Sequence, residues 1–191
     1  MIELSLSRGE EFGMIAAVVM DLDGTLIESD ELGADDPRQV RVVDGAEAMV
    51  RALAGYVPVA VATTAPARYV AALTDLLPEL FEQVSSIVVG DPVEGSMSAE
   101  LLEISLESLG MAPGNVVALL NSVDGLMEAR ALGMRAMALP DPRRPLPWQL
   151  AAAGIPISPT PHHAAVSLLR AFRTEGVIPL RWKLIRQLLP V

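Results

Sequence analysis

The chain has 191 residues, of which 51% are hydrophobic and none is cysteine. A chain of this length and composition buries a sizeable core, which excludes an intrinsically disordered protein. The lack of cysteine excludes disulfides, thiolate metal sites and a cysteine nucleophile. No apolar run approaches the ~20 residues of a membrane-spanning helix, and the first residues lack the pattern of a signal peptide. We therefore expect a cytoplasmic protein with no transmembrane segment.

The net charge is −10 at pH 7, and it is unevenly distributed along the chain. Residues 1–140 carry a charge of −15, whereas residues 141–191 carry +5. An acidic body repels the phosphates of a nucleic acid rather than neutralising them. We therefore expect no nucleic-acid partner.

Apolar runs alternate with helical patterns over residues 14–140. The runs predicted as strands are short, continuous and partly β-branched, as is typical of strands buried on both faces. The predicted elements, in chain order, are strand Met14–Met20, helix Asp44–Ala54 with Asp44 as N-cap, strand Val57–Ala62, a helix from Pro66 to Pro78, strand Ile87–Val89, helix Ser98–Leu109, strand Val116–Leu120, helix Gly125–Leu132 and strand Arg135–Leu139.

This alternation of strands and helices with short connections predicts a parallel sheet covered by helices on both faces. Ligands of such sheets bind beyond the carboxyl ends of the strands. Four polar residues follow or end successive predicted strands, namely Asp21, Thr63, Asp91 and Asn121. We expect them to lie at the mouth of one site.

The composition changes after residue 140. A proline-rich, basic segment is followed by two helical patterns, Ala164–Phe172 and Leu180–Leu189. Each pattern has an apolar face that must be buried. We therefore divide the chain into a core domain, residues 1–140, and an extension, residues 141–191, that packs on the core or on a partner chain, with Trp182 as an anchor. A basic amphipathic helix lying on an anionic membrane is the alternative for Leu180–Leu189.

The segment DLDGTL, residues 21–26, resembles the first motif of the haloacid dehalogenase superfamily of phosphotransferases. The resemblance covers about residues 14–140, and it implies that Asp21 attacks phosphorus and becomes a transient aspartyl-phosphate. It also implies that Asp23 protonates the leaving group and later activates water. Covalent catalysis of this kind splits one difficult step into two easier ones. The structural alternative is an Asp-Gly turn between a strand and a loop.

The second motif of that superfamily is a Ser or Thr at the end of the next strand, and Thr63 stands there with Thr64 beside it. The resemblance implies that Thr63 and Thr64 bind phosphate. A hydroxyl with nearby backbone N–H groups would orient the phosphoryl group for attack. Alternatively, one of the two threonines caps the helix that begins at Pro66.

The third motif departs from the family pattern. The family carries a Lys before the following helix, but the aligned residue here is Ser96, and the only lysine of the chain is Lys183. Arg68 is the nearest candidate to replace that charge, although an exposed helical arginine is the simpler interpretation. Losing one charge-stabilising group from such a site typically raises the barrier by ~3–4 kcal/mol.

The fourth motif usually presents one or two acids to Mg²⁺, but Leu120 and Asn121 stand at those positions. An Asn carbonyl oxygen can bind a hard cation, but it brings no charge. The implied metal ligands are therefore Asp21, Asp23 and Asn121. Asp124 and Asp91 are the two candidates to replace the missing acid. The alternative interpretation of Asp124 is a first-turn acid that complements the helix dipole. The alternative interpretation of Asp91 is a residue of a Gly-Asp-Pro turn.

The resemblance implies a three-layer, Rossmann-like α/β fold of the haloacid dehalogenase type. No stretch long enough for the family's mobile cap domain follows the first motif or separates the second from the third, so we expect no inserted cap. Such capless relatives often act on large substrates or are closed over by a neighbouring subunit, which makes a homo-oligomer possible. Two functions remain: a Mg²⁺-dependent phosphohydrolase of weakened activity, or an impaired relative that binds a phosphorylated ligand or a protein partner.

Overall fold

The computed structural model describes residues 14–28, 36–90, 97–141, 143–144 and 148–176. The strands are β1 (Ala17–Asp21), β2 (Ile27–Glu28), β3 (Arg41–Val42), β4 (Val59–Thr63), β5 (Ser86–Val89), β6 (Val116–Leu120) and β7 (Arg135–Ala138). The α-helices are α1 (Ala46–Ala54), α2 (Ala67–Leu76), α3 (Pro78–Phe81), α4 (Ala99–Leu109), α5 (Val123–Ala131), α6 (Trp148–Ala152) and α7 (Pro161–Thr174).

Five strands form one parallel sheet in the order β5-β4-β1-β6-β7. β1 is the central strand, paired with β4 through Val19 opposite Ala60 and with β6 through Val19 opposite Ala118. The chain crosses from one half of the sheet to the other between β5 and β6. The connection that leaves β1 leads to β4 on one side, whereas β6 lies on its other side. In parallel sheets, ligands bind in the crevice that forms at the carboxyl end of a strand where the strand order reverses in this way.

Helices cover both faces of the sheet, which gives three layers. Val18 and Met20 of β1 face a core shared with α1, α2, α3 and α7, whereas Ala17 and Val19 face a second core shared with α4, α5 and α6. Every side chain of β1 before Asp21 is fully buried. The three-layer parallel fold predicted from the sequence is therefore confirmed.

The predicted elements agree with the observed ones to within a few residues, with two differences at helix ends. Asp44 is not the N-cap of α1, because Gly45 occupies that position at a φ of +82°. The helix predicted from Pro66 to Pro78 ends at Leu76, and Pro78 begins the separate short helix α3. Proline lacks an N–H and clashes with the preceding turn, so it starts a new helix more readily than it continues one.

A small antiparallel hairpin, β2–β3, follows the carboxyl end of β1. Among the described residues between β1 and α4, no further folded domain is inserted, in agreement with the expected lack of a cap. Within the same described part of the chain, no helix has the length and apolar character needed to cross a membrane.

The described part of the C-terminal extension packs on the sheet domain. Leu168 and Phe172 of α7 lie in the same core as α1. Glu175 accepts a hydrogen bond from the N–H of Ile15 at 2.7 Å and forms an ion pair with Arg135 of β7. The helix predicted at Leu180–Leu189, with Trp182, lies outside the described residues, so its docking stays a prediction.

Candidate active site

Two acidic residues leave the central strand at its carboxyl end. Asp21 is the last residue of β1, and the chain then turns sharply enough for the N–H of Gly24 to donate to the carbonyl of Ile27 at 2.7 Å. The N–H groups of Leu26 and Ile27 both donate to the carbonyl of Leu22. This compact turn keeps Asp21 and Asp23 close enough for their charges to interact at the carboxyl end of β1.

The electrostatic environment of Asp21 is strongly perturbed. Burial, followed by the negative charge of Asp23, raises the pKa of the Asp21 carboxyl to about 8. The N–H of Leu22, which donates to Asp21 Oδ1 at 2.8 Å, acts in the opposite direction. A strongly shifted pKa caused by burial and one nearby charge is typical of functional carboxylates. At neutral pH, a proton or a bound positive charge would therefore stabilise these two carboxylates.

Gly24 is required by its backbone conformation and by its neighbours. Its φ is +73°, a region that residues with a Cβ rarely adopt. A Cβ at this position would lie 2.6 Å from Asn121 Nδ2 and 3.2 Å from Asp141 Oδ2. The side chains that follow β6 and β7 therefore approach the backbone that carries Asp23.

Thr63 lies where the sequence places it, at the carboxyl end of β4, and is 2% exposed. Its Oγ1 accepts a hydrogen bond from the N–H of Ala65 at 3.0 Å. The N-cap of α2 is Pro66, and no side chain caps that helix, so neither Thr63 nor Thr64 has the capping role given as the alternative. The roles of Thr63 and Thr64 in binding phosphate stay predictions.

Asn121 follows β6 and contacts the turn directly. Its Nδ2 donates to the backbone carbonyl of Asp23, and it lies 3.4 Å from Thr25 Oγ1. Thr25 is fully buried. The amide of Asn121 thus holds the turn through its N–H groups, a role that the fourth-motif comparison did not predict.

Two of the proposed substitutes for the missing charges, Arg68 and Asp124, have exposed side chains. Arg68 lies on α2, and Asp124 lies in the first turn of α5, where it complements the helix dipole. Asp91 and Ser96 lie outside the described residues.

Two residues of the site were not predicted from the sequence. Asp141, which follows β7, lies against Gly24, and Tyr69 of α2 is buried near enough to Asp23 for that charge to contribute, after burial, to a raised pKa of Tyr69. Asp141 could have been found, since it stands at the end of a fifth parallel strand. Nothing in the sequence distinguishes Tyr69 from an ordinary core residue.

The fit of the site to Mg²⁺ rests on the two carboxylates of Asp21 and Asp23. Mg²⁺ prefers carboxylate oxygens. Burial and then the charge of Asp23 raise the pKa of Asp21, and a bound cation would act in the opposite direction. Asn121 adds an uncharged amide. Within the described residues no group of three acids or histidines could hold a metal ion. The residues therefore fit a weakly held cation.

Solved structures with the same fold are numerous, although no family model and no curated protein matches the sequence. A haloacid dehalogenase superfamily hydrolase from Ehrlichia chaffeensis is 12% identical, with a TM-score of 0.65 over 84% of this chain and 98% of that one. A haloacid dehalogenase phosphatase from Thermococcus onnurineus is 14% identical, with a TM-score of 0.63 over 80% and 97% of the two chains.

A third neighbour was solved with ligands. The D,D-heptose 1,7-bisphosphate phosphatase from B. bronchiseptica, complexed with magnesium and phosphate, is 16% identical, with a TM-score of 0.65 over 81% of this chain and 98% of that one. At sequence identities this low, the structural similarity shows the fold and nothing further. The strand order, the acidic turn after β1 and these neighbours together show that the chain has the fold of the haloacid dehalogenase superfamily.

Proposed function

We propose that this protein hydrolyses phosphomonoesters through an aspartyl-phosphate intermediate on Asp21. The observation that carries the proposal is the pair of carboxylates that β1 and its turn present at the crevice, with the pKa of Asp21 raised to about 8 by burial and by Asp23. A merely structural Asp-Gly turn gains nothing from two acids that disfavour each other's ionisation.

The chemistry divides between the two acids. The two coupled carboxylates share one proton at neutral pH, and the reactive form is the one in which Asp23 carries that proton and Asp21 is ionised. In the first step, an oxygen of the ionised Asp21 forms a bond to phosphorus while the bond between phosphorus and the ester oxygen breaks, and Asp23 gives its proton to the departing oxygen. In the second step, Asp23 accepts a proton from water, whose oxygen attacks phosphorus and releases Asp21. Thr63, at the neighbouring strand end, would bind the phosphoryl oxygens.

Asp21, Asp23 and the amide oxygen of Asn121 would hold Mg²⁺, which supplies positive charge to the carboxylates and to the phosphoryl group. An amide in place of an acid weakens such a site, because it contributes no charge. Activity is therefore expected to be low and to require a high Mg²⁺ concentration.

The test is hydrolysis of a panel of phosphomonoesters with Mg²⁺ by the wild-type chain and by Asp21→Asn. Turnover that Asp21→Asn abolishes supports the proposal. Asp75→Asn is the matched control, since Asp75 is an exposed acid on α2. Activity that survives Asp21→Asn contradicts the mechanism.

The second candidate is a protein that binds a phosphorylated ligand without hydrolysing it. Asn121 favours this function, since it stands at the metal-ligand position and donates to the carbonyl of Asp23. Phosphate binding without turnover over the whole panel would support this candidate over the enzyme.

A further inference from the structure

One polar group next to the candidate site is buried without a hydrogen-bond partner. The side chain of Tyr69 is 6% exposed, and its hydroxyl makes no hydrogen bond among the described residues. A buried hydroxyl without a partner is destabilising, because it has lost its bonds to water and gained none in the protein. A phenylalanine would fill the same space without that penalty. Stability therefore gives no reason for this oxygen, and a role in the reaction does.

The fold brings Tyr69 to the edge of the sheet where the two acids lie. Tyr69 is in the first turn of α2, which follows the carboxyl end of β4, and β4 is the neighbour of β1 in the sheet. Tyr69 also belongs to the same apolar core as Leu22 and Leu26, which precede and follow Asp23 in the chain. Its ring is therefore part of the core on which the turn after β1 packs.

Asp23 is the charged group that acts on the hydroxyl of Tyr69. After burial, the negative charge of Asp23 raises the pKa of Tyr69, which requires the two groups to lie within electrostatic reach of each other. Asp23 is half-buried, whereas the Tyr69 oxygen is closed off from solvent. Hydrogen bonds between catalytic groups are often long in a free enzyme and shorten only when the substrate is bound.

We propose that Tyr69 is a positioning residue for Asp23: in the substrate complex its hydroxyl donates a hydrogen bond to one carboxyl oxygen of Asp23 and so directs the other toward the departing ester oxygen. The inference rests on the proposed function, in which Asp23 gives a proton to that ester oxygen. Tyr69 acts through Asp23 and does not itself touch the substrate, since its hydroxyl is closed off from solvent. The alternative is an unpaired hydroxyl with no part in the reaction.

The leaving group of the substrate distinguishes these two roles. An alkoxide needs a proton as its bond to phosphorus breaks, whereas nitrophenolate, a much weaker base, departs without one. Poor alignment of Asp23 therefore slows the reaction of an alkyl phosphate more than that of nitrophenyl phosphate. A general loss of folded protein or of substrate binding would slow both reactions alike. The quantity to compare is kcat/KM, because it covers the steps up to the departure of the alcohol and excludes the later hydrolysis of the intermediate.

The experiment measures kcat/KM for an alkyl phosphate and for nitrophenyl phosphate, with Mg²⁺, in the wild-type chain, Tyr69→Phe and Tyr69→Leu. We expect kcat/KM for the alkyl phosphate to fall about tenfold or more in both variants, as for one lost hydrogen bond in the transition state, and that for nitrophenyl phosphate to fall by less than about threefold. Tyr56→Phe is the matched control. Tyr56 is the other tyrosine of the chain and precedes β4, at the opposite end of that strand from the site, so this variant should react as the wild type does.

Circular dichroism and urea denaturation show whether each variant folds. If Tyr69→Phe unfolds, a folded Tyr69→Leu decides the question, and unfolding of both would show that the hydroxyl serves the fold and would overturn the inference. Equal losses for the two esters, or no loss for either, would also overturn it, and would leave the proposed enzyme standing as long as wild-type turnover requires Asp21. No turnover by the wild-type chain, or turnover that survives Asp21→Asn, would refute the proposed function and the inference together.

Discussion

The raised pKa of Asp21 predicts a stability that falls as the pH rises. The pKa of this carboxyl moves from 3.8 to about 8 on folding, because of burial and then the charge of Asp23. Between these two values the folded chain keeps a proton that the unfolded chain has released. The stability contributed by that proton is complete below the lower value and is lost as the pH approaches the upper one.

The magnitude follows from linkage, which gives about 1.4 kcal/mol per pH unit for one proton. The free energy of unfolding should therefore contain a component that falls by about 2.7 kcal/mol between pH 5 and pH 7. Asp21→Asn removes this component, so the difference in stability between the variant and the wild type should grow with pH in favour of the variant.

Urea denaturation in a chelating buffer at several pH values measures both proteins. Parallel curves for the wild type and Asp21→Asn from pH 5 to pH 8 would refute the reasoning, because Asp21 would then be ionised in both the folded and the unfolded chain. Mg²⁺ should flatten the wild-type curve, since a bound cation favours the ionised carboxylate.

Four further results are expected. Gly24→Ala should lower the free energy of unfolding by at least about 2 kcal/mol in urea melts, because of the positive φ and the 2.6 Å contact with Asn121 Nδ2. Asn121→Asp should bind Mg²⁺ at least about tenfold more tightly by calorimetry, since it adds a carboxylate, and equal affinities would show that another acid already serves. Tyr69→Phe should leave stability unchanged or raise it by up to about 1 kcal/mol, because the hydroxyl is buried without a hydrogen-bond partner among the described residues. Glu175→Ala should destabilise the fold by about 3 kcal/mol, since it removes the carboxylate that pairs with Arg135 of β7, and a change below 1 kcal/mol would contradict that role.

The fold could be predicted from the sequence because the patterns that indicate its strands and helices involve residues close together in the chain. Short apolar strands, helix caps such as Ser98 and Gly110, and the order of the elements depend on neighbouring residues alone. The N-terminus of α1 was predicted incorrectly for a related reason. Asp44 has the right chemistry for an N-cap, but the tight turn at Gly45, with its positive φ, begins the helix one residue later.

The residues of the candidate site could be predicted from the sequence only in part. Asp21 and Asp23 stand in one short motif, whereas the contact of Asp141 with Gly24 joins residues 117 positions apart and depends on the sheet order. The sequence puts Asp141 at the start of a predicted extension, because a proline-rich, basic segment marks a change in composition. In the structure this residue follows β7, which belongs to the same parallel sheet as β1, and its side chain approaches Gly24.

The proposed mechanism requires that Asp21 becomes phosphorylated during turnover. The most direct measurement is mass spectrometry of acid-quenched protein after incubation with a phosphomonoester and Mg²⁺, followed by mapping of the modified peptide. We predict one added phosphoryl group on the peptide that contains Asp21, and none in Asp21→Asn. A phosphoryl group on any other residue, or turnover with no phosphorylated Asp21 under conditions that trap the intermediate, would contradict it.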